Sequence, residues 1–144
     1  MQPLPTSRHC FICGKENTAG LQVRFHRTPD GVRATVTPAR SFEGFDGVLQ
    51  GGVAAGLMDD AMWYAIFAAT GGVTMTAELT VRYKAPVPVE QELTVTGQLV
   101  EQRRNLYTCA ASLSGPDGRV LAEAVGKFLA APQELAERLH QQMS

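Results

Sequence analysis

No block of lysine and arginine occurs anywhere in this chain: 13 basic residues stand against 14 acidic ones, for a formal net charge of −1. A dedicated nucleic-acid binder carries a basic stripe, so that class is excluded, although a local patch for a phosphorylated small molecule is not. An uninterrupted apolar run long enough to span a membrane is also missing. The one long stretch, residues 50–69, is broken by two acids and several glycines, and no membrane partner is expected. The opening Met1-Gln2-Pro3-Leu4-Pro5 lacks the charged-then-apolar pattern of a secretory signal. Cysteine is scarce and odd in number, three in all, which makes no disulfide framework. These absences predict a cytoplasmic protein. Neither an internal repeat nor a low-complexity linker divides the 144 residues, so a single domain over 1–144 is expected, with 1–9 a loose leader and 133–144 a C-terminal helix or tail.

What is present alternates. Leu21, Val23 and Phe25 face one way and Gln22 and Arg24 the other, which reads as a strand. Pro29-Asp30-Gly31 turns the chain, and Val32 to Thr37 returns as the second strand of a hairpin. A glycine-punctuated loop, 41–49, leads into the apolar stretch 50–69, read as a long helix and stopped by Gly71-Gly72. Thr74 to Tyr83 then alternates over ten residues, with Met75, Ala77, Leu79, Val81 and Tyr83 on one face. Leu93 to Val100, Leu106 to Leu113 and Val120 to Leu129 follow, joined by short turns, as an antiparallel meander. The layout is α+β: one long central helix against a curled antiparallel sheet of about five to six strands.

From Val53 to Ala69 the helix is apolar on every face except at Asp59 and Asp60. A helix of that kind is buried all round, and one sheet plus water does not cover it, so a second subunit is expected. Gly51 and Gly52 stand at its start. Glycine there lets a ligand approach the backbone, and the free N–H groups of the first turn suit an anion or a developing oxyanion; the bland alternative is a tight loop-to-helix entry. Asp59 and Asp60 point about 100° apart, so both cannot serve one site. Each is either a structural acid or a carboxylate suited by burial to act as base or nucleophile. Gly51 and Asp59 lie roughly 12 Å apart along the helix at 1.5 Å per residue. An oxyanion donor and its base both need to reach the same reacting atoms. If these two act together, they come from two copies of the chain, which predicts an obligate dimer.

Cys10-Phe11-Ile12-Cys13-Gly14 is a Cys-x2-Cys-Gly turn. It supplies two thiolates where a structural zinc site needs four ligands. His9 and His26 are the nearest other ligands and Cys109 is far off, so a turn of packed thiols is expected and no metal. The three histidines, His9, His26 and His140, all lie outside the central stretch, which argues against a hydratase or dehydratase. Trp63, Tyr64 and Phe67 fall at helix spacing and read as core rather than pocket.

The chain resembles the hotdog-fold acyl-CoA thioesterases, in particular the phenylacetyl-CoA and 4-hydroxybenzoyl-CoA thioesterase branch. The resemblance covers residues 8 to 131. It rests on Cys10-x2-Cys13-Gly14-x2-Asn17-x2-Gly20-Leu21, on Phe45-x-Gly47-Val48-x-Gln50-Gly51-Gly52-x6-Asp59, on Arg82-Tyr83-x2-Pro86-Val87-Pro88, and on Asp117-Gly118-x2-Leu121-Ala122-Glu123-Ala124. It implies a helix inside a curled sheet, protomers paired edge to edge into homodimers, and often tetramers as dimers of dimers. It implies that Asp59 activates water or attacks the thioester carbonyl and that the Gly51 N–H of the other subunit polarises the thioester oxygen. Thr76 falls near a hydroxyl that helps place the water in some relatives. Gln50 stands where relatives most often carry histidine, and an amide cannot exchange a proton at neutral pH. No cofactor is implied; coenzyme A enters as part of the substrate, with Gly52, Arg82, Lys84 and Arg104 as substrate-binding candidates and Arg103 beside them. The alternative is a binding module that holds acyl-CoA or an acyl carrier in the same groove without cleaving it, a reading that Gln50 favours.

Overall fold

The computed structural model describes residues 2–144. Two short strands, β1 (His26–Thr28) and β2 (Gly31–Val36), form a hairpin. A single 3-10 turn, Arg40–Phe42, leads through a loop into α1 (Gly51–Thr70). Then come β3 (Thr74–Tyr83), β4 (Leu93–Arg103), β5 (Leu106–Ser114), β6 (Val120–Ala130) and α2 (Gln133–Gln142). The six strands make one antiparallel sheet in the order β1-β2-β4-β5-β6-β3. The sheet curls round α1, which meets β2, β3, β4, β5 and β6. This is the hotdog arrangement, and it is α+β as expected.

The core forms where the inward row of each strand meets the helix. Leu93 and Val95 of β4, Cys109 and Leu113 of β5, and Ala122 and Phe128 of β6 are buried against Leu57, Met58, Met62 and Ile66 of α1. Period-two strands deliver such a row without further help. At Gly97 the fit is closest: a Cβ there would come within 2.4 Å of the Ala61 carbonyl oxygen, so β4 lies on the helix backbone itself. Gly71 ends α1 in the left-handed conformation, φ 73°, and its N–H closes on the Phe67 carbonyl at 2.8 Å. The stop read from sequence is therefore an αL cap. Burial of helix and inward strands drives the assembly at about 25 cal/mol per Å² of apolar surface.

Three expectations are corrected. Residues 21–25 are not a strand; β1 begins at His26. Val23 and Phe25 are buried as expected, but Gln22 has φ 54° and the amides of Leu21 and Val23 bond to Phe11 and Ile12 carbonyls. The local partner is thus the cysteine turn, not a sheet neighbour. Residues 2–9 are not loose: Leu4 is 2% exposed, its amide bonds Phe25, and Thr6 exchanges backbone bonds with Ser144. The alternation of β3 is also broken. A bulge between Thr76 and Glu78 lets Thr76 and Leu79, three residues apart, both face the helix, since a bulge shifts the side-chain parity by one. Small differences of strand end include β4, which runs on to Arg103.

Among the described residues no helix is long and apolar enough to cross a membrane. The edge strand β3 is the least covered of the long strands, with Met75 and Tyr83 each 50% exposed. Its outer backbone row has no pairing strand among the described residues, a ready template for another copy.

Candidate active site

The site residues stand on α1 and on the strand beside it, which runs antiparallel to the helix. Gly51 faces the Tyr83 end of β3, and Asp59 faces the Thr76 end. Gln50 is the N-cap of α1. Its side-chain Oε1 accepts the amide of Gly52 at 2.6 Å and that of Val53 at 3.1 Å. A side-chain oxygen at this position satisfies donors that the first turn leaves open. With Ala54 also bonded to the Gln50 carbonyl, the Gly51 N–H is the first-turn amide left without an acceptor among the described residues. Tyr83 donates its hydroxyl to the Gly51 carbonyl, so the following peptide, between Gly51 and Gly52, is held at its oxygen by Tyr83 and at its N–H by Gln50. A Cβ at Gly51 would meet nothing closer than 3.5 Å. Packing within one chain therefore does not require glycine there. Gly52 differs: a Cβ would sit 2.8 Å from the Gln50 Oε1, so glycine at 52 leaves room for the cap.

Asp59 is half-buried. Its Oδ1 accepts the Thr76 hydroxyl at 2.7 Å. Burial raises its pKa, and the hydroxyl bond to the ionised form partly offsets that. The arrangement is a carboxylate with one oxygen held and the other open, on the exposed side of the helix. Thr76, seventeen positions away, is brought to it by the bulge in β3.

A groove of about 690 Å³ opens at the helix start, walled by Phe45, Val48, Leu49, Ala54, Tyr83 and Val87, with Gln50, Gly51 and Lys84 at its polar side. Asp59 and Thr76 are not part of its wall. Within one chain the oxyanion-type donor and the carboxylate thus remain apart, as helix length requires. The three cations read from sequence are not gathered. Lys84 is at the groove and pairs with Glu123 at 3.2 Å; Arg82 lines a separate depression; Arg104 sits at the β4–β5 turn with φ 55°. Neighbouring Arg103 pairs with Glu101 at 2.8 Å.

Of the aromatic residues, Tyr64 is core and stacks on Phe25 at 4.9 Å, while Trp63 stacks on Phe67 at 5.4 Å and donates its indole N–H to the Thr74 carbonyl. Sequence reading missed the part played by Arg40. It reaches Asp46 at 3.1 Å, Glu90 at 3.6 Å and Glu43 at 3.9 Å, and so pins the loop that forms the groove's rim. A lone exposed arginine in a loop carries no local signal of that kind.

A sequence profile of the thioesterase superfamily matches residues 46–122, just over half of the chain. The chain belongs to the thioesterase superfamily. The match spans most of the groove wall, the helix with both acids, and β3. The acyl-coenzyme A thioesterase THEM4 of Bos taurus is 32% identical over 88 residues, 60% of this chain and 35% of that protein. The chain spans about a third of the length of that relative. A crystal structure of a thioesterase superfamily protein superposes with a TM-score of 0.78 at 34% identity, over 85% of this chain and 63% of that one. The crystal structure of a hypothetical thioesterase from Streptococcus pneumoniae TIGR4 with coenzyme A superposes with a TM-score of 0.70 at 20% identity, over 77% of this chain and 87% of that one. That last likeness shows the fold alone.

Proposed function

We propose that the protein hydrolyses an acyl-CoA thioester to the free acid and coenzyme A at a site shared by two subunits. The observation that carries this reading is the division of labour along α1. Its start presents one unbonded amide, at Gly51, beside an apolar groove, and its middle presents Asp59 held by Thr76. Antiparallel pairing of two helices brings the amide of one to the carboxylate of the other. The bare edge of β3 and the half-exposed flank of α1 supply the surface for that pairing. Superfamily membership and the THEM4 relative support the substrate class.

In this reading the thioester oxygen accepts the Gly51 N–H, and the helix dipole favours the charge that develops there. The open Asp59 oxygen takes a proton from water as the water oxygen bonds to the carbonyl carbon. Thr76 fixes the orientation of the carboxylate. The tetrahedral intermediate then collapses, the C–S bond breaks, and the thiolate leaves as coenzyme A, taking up the proton. A thiolate leaves without much assistance, so one base and one oxyanion donor suffice. Gln50 spends its side chain on capping α1, a task that needs no proton exchange, so its place where relatives carry histidine is compatible with turnover. The Gly52 amide is occupied by that cap and contributes through space alone. Lys84 at the groove contacts the coenzyme A phosphates, with Arg82 and Arg104 more distant contributors.

The test is release of free thiol from a panel of aliphatic and aromatic acyl-CoAs. The expected result is turnover of at least one, with Asp59→Asn losing most of it while sedimentation still shows a dimer. Tight acyl-CoA binding with no thiol release at any pH would instead identify a non-hydrolytic binding module.

A further inference from the structure

The second acid of the helix faces elsewhere. Asp60 points toward the N-terminal segment, where the two sulfurs of Cys10 and Cys13 and its carboxylate all lie within 4.8 Å of one another. Its Oδ2 is fully enclosed and has no hydrogen-bond partner among the described residues. Buried acids are normally paired or coordinate a metal; among the described residues this oxygen has no partner, and the Cys13 side chain is the hydrogen-bonding neighbour of the carboxylate. The thiols come from a tight knuckle in which the Gly14 amide bonds the Cys10 carbonyl at 2.9 Å and the Cys13 amide approaches the Cys10 Sγ at 3.4 Å. A Cβ on Gly14 would come within 2.5 Å of the Arg8 carbonyl oxygen and 2.6 Å of the Cys10 backbone, so the turn admits only glycine. The Tyr64 hydroxyl lies 2.8 Å from the Pro5 carbonyl oxygen and 3.2 Å from the Cys13 Sγ, so its one proton has both as acceptors. A cavity of about 200 Å³ opens beside the three groups, walled further by Ser7, Trp63 and Met143.

We propose that Cys10, Cys13 and Asp60 bind a divalent transition ion of the zinc class, with a fourth coordination position open to the adjoining cavity. Two thiolates select such an ion over magnesium or calcium. Around tetrahedral zinc, at ~2.3 Å to sulfur and ~2.0–2.2 Å to oxygen, ligand atoms sit about 3.5–3.8 Å apart. With all three ligand atoms within 4.8 Å of one another, the cluster needs to close by no more than about 1 Å to reach that spacing. The cavity has room for a water as fourth ligand. The bound ion ties the segment around Cys10 to the middle of α1, fifty positions on, and its binding displaces protons from the ligands. Neither His9 nor His26 belongs to the cluster among the described residues. The ion would stand on a different flank of the helix from Asp59, about 100° round its axis, outside the proposed hydrolytic site.

The experiment titrates reduced, chelator-stripped full-length protein with cobalt(II), which reports thiolate ligation by a near-ultraviolet charge-transfer band. The expected result is saturation at one equivalent with that band present. Cys10→Ser abolishes the band, and Asp60→Asn weakens binding by at least tenfold while circular dichroism shows both variants folded. Zinc then raises the melting temperature of the wild type, and magnesium does not. Absence of the charge-transfer band in the reduced wild type overturns the proposal. So does an Asp60→Asn variant that binds cobalt with unchanged affinity and spectrum. Asp60→Asn keeps size and shape, so the test survives if a cysteine variant does not fold, and no readout depends on thioester hydrolysis.

Discussion

Gly51→Pro isolates the role assigned to one amide. Residue 51 is the first of α1, where proline is well tolerated because its missing N–H has no helical partner. The residue before it is already suited: Gln50 has φ −59° and ψ 134°, the extended region that a following proline requires. Space is open as well, with nothing nearer than 3.5 Å to a Cβ. The substitution thus removes one N–H and little else. Folding stability is expected to stay level or rise by up to ~1 kcal/mol. Loss of one oxyanion donor costs about 10²–10³ in kcat, or ~2.7–4 kcal/mol, and loss of the base in Asp59→Asn about 10²–10⁴. The decisive assay mixes the two inactive variants and allows subunit exchange, followed by native mass spectrometry. In a heterodimer with shared sites, one site carries both lesions and the other carries neither. With half of the dimers mixed at equal input, activity recovers to about a quarter of wild type for a two-fold symmetric pair. If Gly51 and Asp59 act within one chain, every site in the mixture keeps a lesion and nothing recovers. A mixture that exchanges but stays inactive therefore refutes the shared site.

Other outcomes follow from the same geometry. If Asp59 acts on water as proposed, a single turnover in H₂¹⁸O places the label in the released acid; label found in the Asp59 carboxylate by peptide mass analysis would show direct attack instead. Gln50→Ala uncovers the amides of Gly52 and Val53 and is expected to cost about 0.5–2 kcal/mol in urea unfolding, while leaving measurable thiol release; complete loss of turnover in a folded dimer would give Gln50 a chemical role. Gly97→Ala drives a Cβ to 2.4 Å from the Ala61 carbonyl and is expected to destabilise by about 1–3 kcal/mol, whereas Gly51→Ala, with open space, changes stability by under ~1 kcal/mol; equal effects in thermal melts would contradict the packing described.

The repeating parts of the fold were legible because their physics is local. The alternation of Thr74 to Tyr83 and of the meander after it depends on which residues prefer water, and the structure keeps those strands with small changes at their ends. Segment 21–25 was misread for the opposite reason. Its alternation is real and its apolar row is buried, but the backbone partner is Phe11 and Ile12 rather than a strand, and periodicity reports burial without naming the partner. The leader was misread as loose because its anchors, Phe25 and Ser144, are distant in sequence.

The sequence alone determined that a helix apolar on all sides runs through the middle of the chain, that its two acids cannot share a site, and that helix length separates Gly51 from Asp59. Each follows from the fixed pitch and rise of a helix. Tertiary structure alone decided what each acid faces. A one-residue bulge in β3 brings Thr76 to Asp59, and the packing of the cysteine turn at residues 10–14 brings Cys10 and Cys13 to Asp60. Such meetings join residues seventeen and fifty positions apart, and their reason lies in strand parity and packing.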